Sequence, residues 1–306
     1  MDALNWLVPL AATLNAGTVL ALAGLGLLIN EKVGIINLGA EGMMLCAAIA
    51  AYATVVHSGS FALGLLAGAA AGAVLAALFG LLVIFLHTNQ YASGLALSLF
   101  GMGFSAYVGR GYVQESLPGS IDFAIPLLAD LPLVGPLFQL HPLAYLTIAL
   151  AWAMMHFYTR TRPGLLLRSI GESPEAAHAL GYHVRGIRLL CTALGGALCG
   201  LAGAYLSTVY SPLWAEGMVA GQGWIALALT AFATWRPRRI LLGAYLFGGM
   251  TVLQLDLQAS GVQIPSQFLS MLPYVVTIVV LVLISRNPTW IRTNMPASLG
   301  KSFSPR

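Results

Sequence analysis

RTRPGLLLRSIGESPEAAHALGYHVRGIR, residues 160–188, is a polar island in an apolar chain. It holds five of the fourteen Lys and Arg residues, together with Glu172, Glu175, His178 and His183. Apolar runs reach up to His156 before it and resume at Leu189 after it. Inside it, Ser173-Pro174-Glu175 has the form of a helix start. Ser accepts bonds from free N–H groups, Pro presets φ at the first helical position, and Glu suits the positive end of the dipole. Gly181 is a natural stop, because glycine accepts the left-handed conformation that ends many helices. The spacing predicts a short helix from Pro174 to Leu180 on one side of a membrane. Such a helix is either a surface made to touch a partner or a plain connector between spans.

The membrane follows from composition. Hydrophobic residues make up 58% of the chain and charged residues 8%, with a mean hydropathy of +0.85. Soluble domains carry about 25% charged residues. A span needs about 20 apolar residues, and many runs here qualify. They are long, unalternated and rich in Ala, Leu and Gly, which argues against a barrel. The expected fold is all-α: a polytopic transmembrane helical bundle of about eight to ten spans, forming a single domain over residues 1–306. Candidate spans are 6–29, 38–56, 61–86, 91–109, 143–159, 190–210, 221–235, 240–256 and 271–285. The first 31 residues lack Lys and Arg, so residues 6–29 read as a retained span and not a cleaved signal. Cys46, Cys191 and Cys199 fall in apolar runs and predict packed thiols without disulfides.

Alternating sides from residues 160–188 places thirteen of the fourteen basic residues together, with only Arg110 outside. That side is expected to be the cytoplasm, with the 160–188 loop and the 286–306 tail on it. The Pro-rich connection 110–142, with Glu115, Asp122 and Asp130, is then extracytoplasmic. Because the basic residues are juxtamembrane, the net charge of +4 predicts the lipid bilayer as partner and no nucleic acid. Small residues recur at helical spacing in Gly64, Gly68, Gly72, Ala76 and Gly80, and again in Gly196, Gly200 and Ala204. Such stripes let helices pack closely in lipid.

The sharpest anomaly is NEKVGIINLGAEGMM, residues 30–44. Asn37 and Glu41 sit among apolar residues beside Gly34, Gly39 and Gly42. Three glycines in nine residues argue for one broken helix near 34–44. Irregular backbone and an ionisable residue at membrane depth point to a path. Alternatively, Glu41 lies at the interface, pairs with Lys32 or caps a helix. His87-Thr88-Asn89-Gln90 is either a turn or the mouth of a path helix bearing Ser93 and Ser98. Trp214 to Trp224, with Glu216, Gln222 and three glycines, suits an interfacial belt or a further polar point. Asp256, with Gln254 and Gln258, reads as interfacial.

Catalytic motifs are missing. There is no H-E-x-x-H, no G-x-G-x-x-G after Gly24, and Met295 stands where a phosphate loop ending Gly300-Lys301-Ser302 needs glycine. The chain shows no means of hydrolysing ATP, no metal or cofactor set, and no cluster expected of an enzyme.

Three blocks together resemble one known family: GIINLGAEGMM (34–44), GESPEAAHALGY (171–182) and GQGWIALALTAFATWRP (221–237). They are similar to the permease subunits of ABC importers for nucleosides and simple sugars, whose larger relatives are the ribose and branched-chain amino acid permeases. The likeness runs in matching order from about residue 17 to 285. It departs at Leu190-Cys191-Thr192, where many importers have isoleucine–leucine–proline, and at Ser98, where relatives often have Asn. The resemblance implies a multi-pass protein of the cytoplasmic (inner) membrane. Its coupling helix would dock into a separate cytoplasmic ATPase through Glu172, Pro174, Glu175, Ala176, Ala177, Leu180 and Gly181, with ATP used by that subunit. Asn37, Gly39 and Glu41 would line the path with Asn89, Ser93 and Ser98. A second, homologous permease and an extracytoplasmic substrate-binding protein would be partners. Alternatives are cargo such as branched-chain amino acids, or a secondary transporter acting alone.

Overall fold

The computed structural model describes residues 4–113, 115, 117, 135–260, 265–285 and 294–304. Asp122 and Asp130 lie outside the described residues. The elements are helices α1 (Leu4–Lys32), α2 (Ala40–Ser58), α3 (Phe61–Gly80), α4 (Gln90–Gly109), α5 (Pro142–Arg160), α6 (Arg162–Glu172), α7 (Pro174–Ala179), α8 (Val184–Tyr205), α9 (Gln222–Phe232), α10 (Pro237–Ala259) and α11 (Ser266–Ser285). No strand occurs among the described residues. Each of the nine candidate spans coincides with a helix, and α6 and α7 fill the polar island between α5 and α8.

Six helices are long and apolar enough to cross a membrane: α1, α2, α3 and α8 with their terminal π turns, α4 with its 3₁₀ turn, and α10. The expectation of eight to ten spans therefore exceeds the number that meet both criteria among the described residues. The physical difference is clearest at α9. Its eleven residues reach about 16 Å at 1.5 Å per residue, against a hydrocarbon core of about 30 Å. The apolar run 221–235 is a half-helix.

The most extensive helix pair is α3 against α8, and it is built from the two small-residue stripes. A side chain at Gly72 would meet the backbone of Gly196 and Gly200, and one at Gly68 would meet Ala204 and the Gly200 carbonyl. Without an apolar driving force in lipid, this close packing is what holds helices together. α1 and α2 form the centre, with Leu20, Leu25, Leu28, Met43, Met44 and Tyr52 fully enclosed.

Among the described residues, the basic side chains other than Arg110 gather at one end of the bundle. Lys32, Arg168, Arg236 and Arg238 line one cavity there. Arg110 lies at the opposite end, beyond α4. Arg286, Arg292 and Arg306 lie outside the described residues; for the others the grouping of charge predicted from the loops is visible in the fold.

Candidate functional site

Two stretches of irregular backbone enter the bundle from opposite ends and meet near its middle. The first is 33–39, between α1 and α2. It climbs along α4. Ile36 N–H donates to Gln90 Oε1 (2.8 Å), the Ser98 hydroxyl donates to the Leu38 carbonyl (2.8 Å), and Gly101 abuts the Gly42 backbone. From Gln90 to Gly101 α4 rises about 16 Å. α2 therefore begins roughly halfway along α4.

Asn37 makes that start possible. Its Oδ1 accepts the Gly39 N–H (3.0 Å), and its Nδ2 faces the Met43 sulfur (3.4 Å). Asn37 is fully enclosed, and Gly39 is glycine because a side chain would meet Leu97 and Asn37. Ser98 fastens the same segment from α4. Asn37, Gly39, Glu41 and Ser98 are thus brought together. Asn89 and Ser93 are not part of this junction. They sit at the basic end of α4, where Asn89 caps the helix through Tyr91 and Ala92 N–H and Ser93 bonds Thr88.

The second stretch is 211–221. Trp214 is buried against Gly109 and packs with Ala48, Ile49 and Tyr52. The chain then turns through Gly217, Ala220 and Gly221, all with positive φ, and enters α9. α9 runs back toward the basic end, where Thr230 bonds the Gly24 carbonyl and the Trp235 indole N–H donates to Glu31. The last turn closes on two non-glycine residues of positive φ, Thr234 and Trp235. Each such conformation costs of order 1–3 kcal/mol. They persist because Glu31 anchors the indole and Arg239 donates to the Thr234 hydroxyl (2.6 Å).

Glu41 joins the two stretches. Its Oε1 accepts the Gly221 N–H (2.9 Å) and its Oε2 accepts the Gly223 N–H (2.8 Å), with the Trp224 N–H on the same carboxylate. These are free donors of the first turn of α9, and the positive end of the α9 dipole faces the carboxylate. Glu41 is only 5% exposed. Of the two readings open in the sequence, the geometry is that of a helix cap supplied from a distant segment. Gly223 could not carry a side chain, since it would meet the Glu41 backbone. Beside it the Gln222 side-chain oxygen is buried without a partner among the described residues.

At the basic end, α7 carries the predicted cap. The Ser173 hydroxyl accepts the Ala176 N–H (3.3 Å), Pro174 opens the helix, and Gly181 follows with φ +88. The helix ends at Ala179, one residue short of the expectation. Its residues divide between two faces. Glu172, Glu175, Ala176 and Leu180 are exposed, Leu180 at 77%, whereas Pro174 and Ala177 are packed inward.

The sequence places the 286–306 tail only on the side where the basic residues gather. In the structure residues 294–304 dock onto this end. Ser298 donates to the Gly171 carbonyl (2.7 Å) and accepts from Arg188 (3.0 Å). Gly300 N–H reaches the Gly34 carbonyl (3.1 Å), and Phe303 packs against His178 and under the Arg188 guanidinium. The tail therefore touches α6, α7, the start of α8 and the entrance of the 33–39 stretch. No signal in the sequence called for this docking, because Arg188 reads there as one of five loop cations and its burial is seen only in the structure.

Comparison with known proteins covers almost the whole chain. Residues 10–283 match the family described as the branched-chain amino acid transport system permease component. A candidate glucose ABC transporter permease protein, TsgC13 of Haloferax volcanii, is 40% identical over 96% of this chain and 97% of its own. The nucleoside ABC transporter permease protein NupC of Lactococcus lactis is 34% identical over 92% of this chain and 94% of its own. The guanosine ABC transporter permease protein NupQ of Bacillus subtilis is 30% identical over 91% of each. No solved structure matches the chain.

Proposed function

The chain belongs to this family of ABC transporter permease components, and from that premise we propose that it moves nucleosides or simple sugars inward across the cytoplasmic membrane. The observation that carries the reading is the family match over residues 10–283, together with relatives named for glucose, nucleosides and guanosine. The junction at Glu41 supports an uncharged cargo. Both carboxylate oxygens are engaged by backbone N–H groups, so no unpaired charge waits for an ammonium group. The free Gln222 oxygen and the irregular backbone of 33–39 and 211–221 offer hydrogen bonds to a polyhydroxylated solute. An amino acid, with two charges to satisfy, fits this junction less well.

The partners follow in the same reading. A cytoplasmic ATPase docks on the exposed face of α7, formed by Glu175, Ala176 and Leu180, with Glu172 and Gly181 at its margins. A second, similar permease completes the pore, and an extracytoplasmic binding protein delivers cargo at the Arg110 end. The 160–188 loop and the tail face the cytoplasm. When the ATPase moves α7, the tail passes the movement on, since Phe303 contacts α7 and Gly300 contacts Gly34. The 33–39 stretch then shifts against α4, and the Glu41 cap on α9 opens or closes the middle of the path. Asn37, Gly39 and Ser98 set the position of that stretch, and Asn89 and Ser93 shape the mouth of α4.

The test is a pull-down from gently solubilised membranes, followed by reconstitution. The tag belongs at the N-terminus, because the tail is docked. Recovery of an ATPase and a second permease, with ATP-dependent uptake of nucleosides or hexoses, is expected. Recovery of the chain alone, with full uptake in vesicles lacking ATP, would overturn the reading and restore a secondary transporter.

A further inference from the structure

The basic end of the bundle holds a cavity of about 330 Å³ that the transport path does not use. Lys32 from α1, Arg168 from α6, and Arg236 and Arg238 from the start of α10 line it, with Glu172 as the one carboxylate among the lining residues. Lys32 stands within electrostatic range of Arg168 and Arg236, and also of the Glu172 and Glu31 carboxylates, so cations outnumber carboxylates around the cavity. Gathered like charges repel, and a bound anion relieves that repulsion. Basic loops are ordinary on one face of a membrane protein. Here cations from segments some 200 residues apart in sequence converge on a single concave site.

A second feature adjoins it. α5 presents Ile148, Ala151, Trp152 and Met155, and α10 presents Arg238, Leu241, Leu242 and Tyr245. Both sets recur at three- and four-residue spacing, so each is a single helix face. The two faces enclose an apolar groove of about 260 Å³. Met155 and Arg238 line the cavity and the groove alike, so the two are continuous. Trp152 is 64% exposed and Leu242 69% exposed, so nothing among the described residues covers the groove. From Arg238 to Tyr245 it runs about 10 Å along α10, away from the basic end.

We propose that cavity and groove together bind one anionic phospholipid. Its phosphate lies among Lys32, Arg168, Arg236 and Arg238, and one acyl chain lies between α5 and α10. The charge selects an anionic headgroup. The continuous apolar groove, running along α10, which is long and apolar enough to cross a membrane, and the exposed Trp152 face of α5, selects a lipid over a free phosphate ion. The occupant bridges α5, α6 and α10 next to Trp235, where α9 ends. The inference does not depend on which solute is carried.

Native mass spectrometry of the full chain in detergent doped with phosphatidylglycerol or phosphatidylcholine of matched acyl chains tests this. The expected result is one phosphatidylglycerol retained at activation energies that strip phosphatidylcholine. The double substitution R236Q/R238Q lowers that retention about 30-fold, as loss of two headgroup contacts requires. Leu242→Trp, which fills the groove and keeps every charge, lowers it as well. An unchanged melting temperature establishes that both variants are folded; should R236Q/R238Q not fold, Arg168→Gln takes its place. Equal retention of the two lipids, or retention indifferent to the arginine substitutions, overturns the proposal. So does inorganic phosphate displacing the lipid while Leu242→Trp has no effect, since the site is then one for small anions. Retention lost only when a partner ATPase is added also overturns it, because that face is then a protein interface.

Discussion

Replacing Glu41 with Gln should open the contact between the two irregular stretches while changing almost no volume. The wild-type carboxylate accepts the Gly221 and Gly223 N–H groups through separate oxygens. An amide keeps one oxygen and turns an NH₂ toward the other donor. One buried N–H then loses its partner, which costs about 1–3 kcal/mol. The attraction of a negative group to the α9 N-terminus is lost as well, about 0.3–2 kcal/mol. Together these give about 1.3–5 kcal/mol, or roughly 10- to 4,000-fold in the local opening equilibrium at 1.4 kcal/mol per decade. Hydrogen exchange reads this directly. Amides of residues 221–224 should exchange faster by that factor in Glu41→Gln, whereas those of α3 and α8 should not change. ATP-driven uptake by the assembled transporter should fall with it. Unchanged exchange at 221–224 would refute the cap. Faster exchange with wild-type uptake would keep the cap and remove its role in transport.

Three further outcomes are expected. Leu180→Asp should abolish ATP-driven uptake with insertion and melting intact, because Leu180 is exposed on α7, whereas Ala177→Asp should lower the melting temperature, because Ala177 is packed inward; uptake and co-purification of the ATPase check both. Ser298→Ala removes the hydroxyl that joins Gly171 to Arg188 and strands a buried guanidinium N–H. A loss of about 1–3 kcal/mol should appear as a lower melting temperature and as faster proteolysis of the 294–304 tail. Gly72→Val should reduce the yield of folded protein severely, since its side chain meets backbone of α8, while Gly103→Ala, with open space around it, should leave yield unchanged.

What the sequence disclosed, and what it kept back, follows the range of the interactions. The spans were legible because a bilayer imposes one requirement, apolar length, and composition records it. The α7 helix was legible because its cap, its proline and its terminal glycine lie within nine residues of one another. The close pairing of α3 with α8 was foreshadowed by the two small-residue stripes, though not which stripe met which. The half-length of α9 left no such mark. Residues 221–235 carry no charge and are mostly apolar, and what caps the helix start at Gly221 is a carboxylate 180 residues earlier. Its donors are main-chain N–H groups, which every sequence has and no residue letter reports. Glu41 looked like a path residue or a cap for the same reason, because the sequence shows the acceptor and hides the donors.

The docked tail is the same problem seen from the other partner. Residues 294–304 have no period, and Ser298 and Phe303 are unremarkable letters. Arg188 is the other half of the contact. A guanidinium 2% exposed at the start of α8 must find hydrogen bonds and something for its face, and the tail supplies Ser298 and Phe303. The same segment that satisfies Arg188 also bonds Gly34 and packs on α7. A residue that reads in sequence as one more loop cation is therefore where the exposed face of α7 and the irregular backbone of 33–39 come within two contacts of each other. Movement of α7 cannot leave Phe303 in place without breaking the edge contact to His178, and cannot carry it along without pulling on Gly300 and so on Gly34. In the reading proposed above, this chain of contacts runs from the basic face of the permease to the 33–39 stretch, which leads into α2 and Glu41.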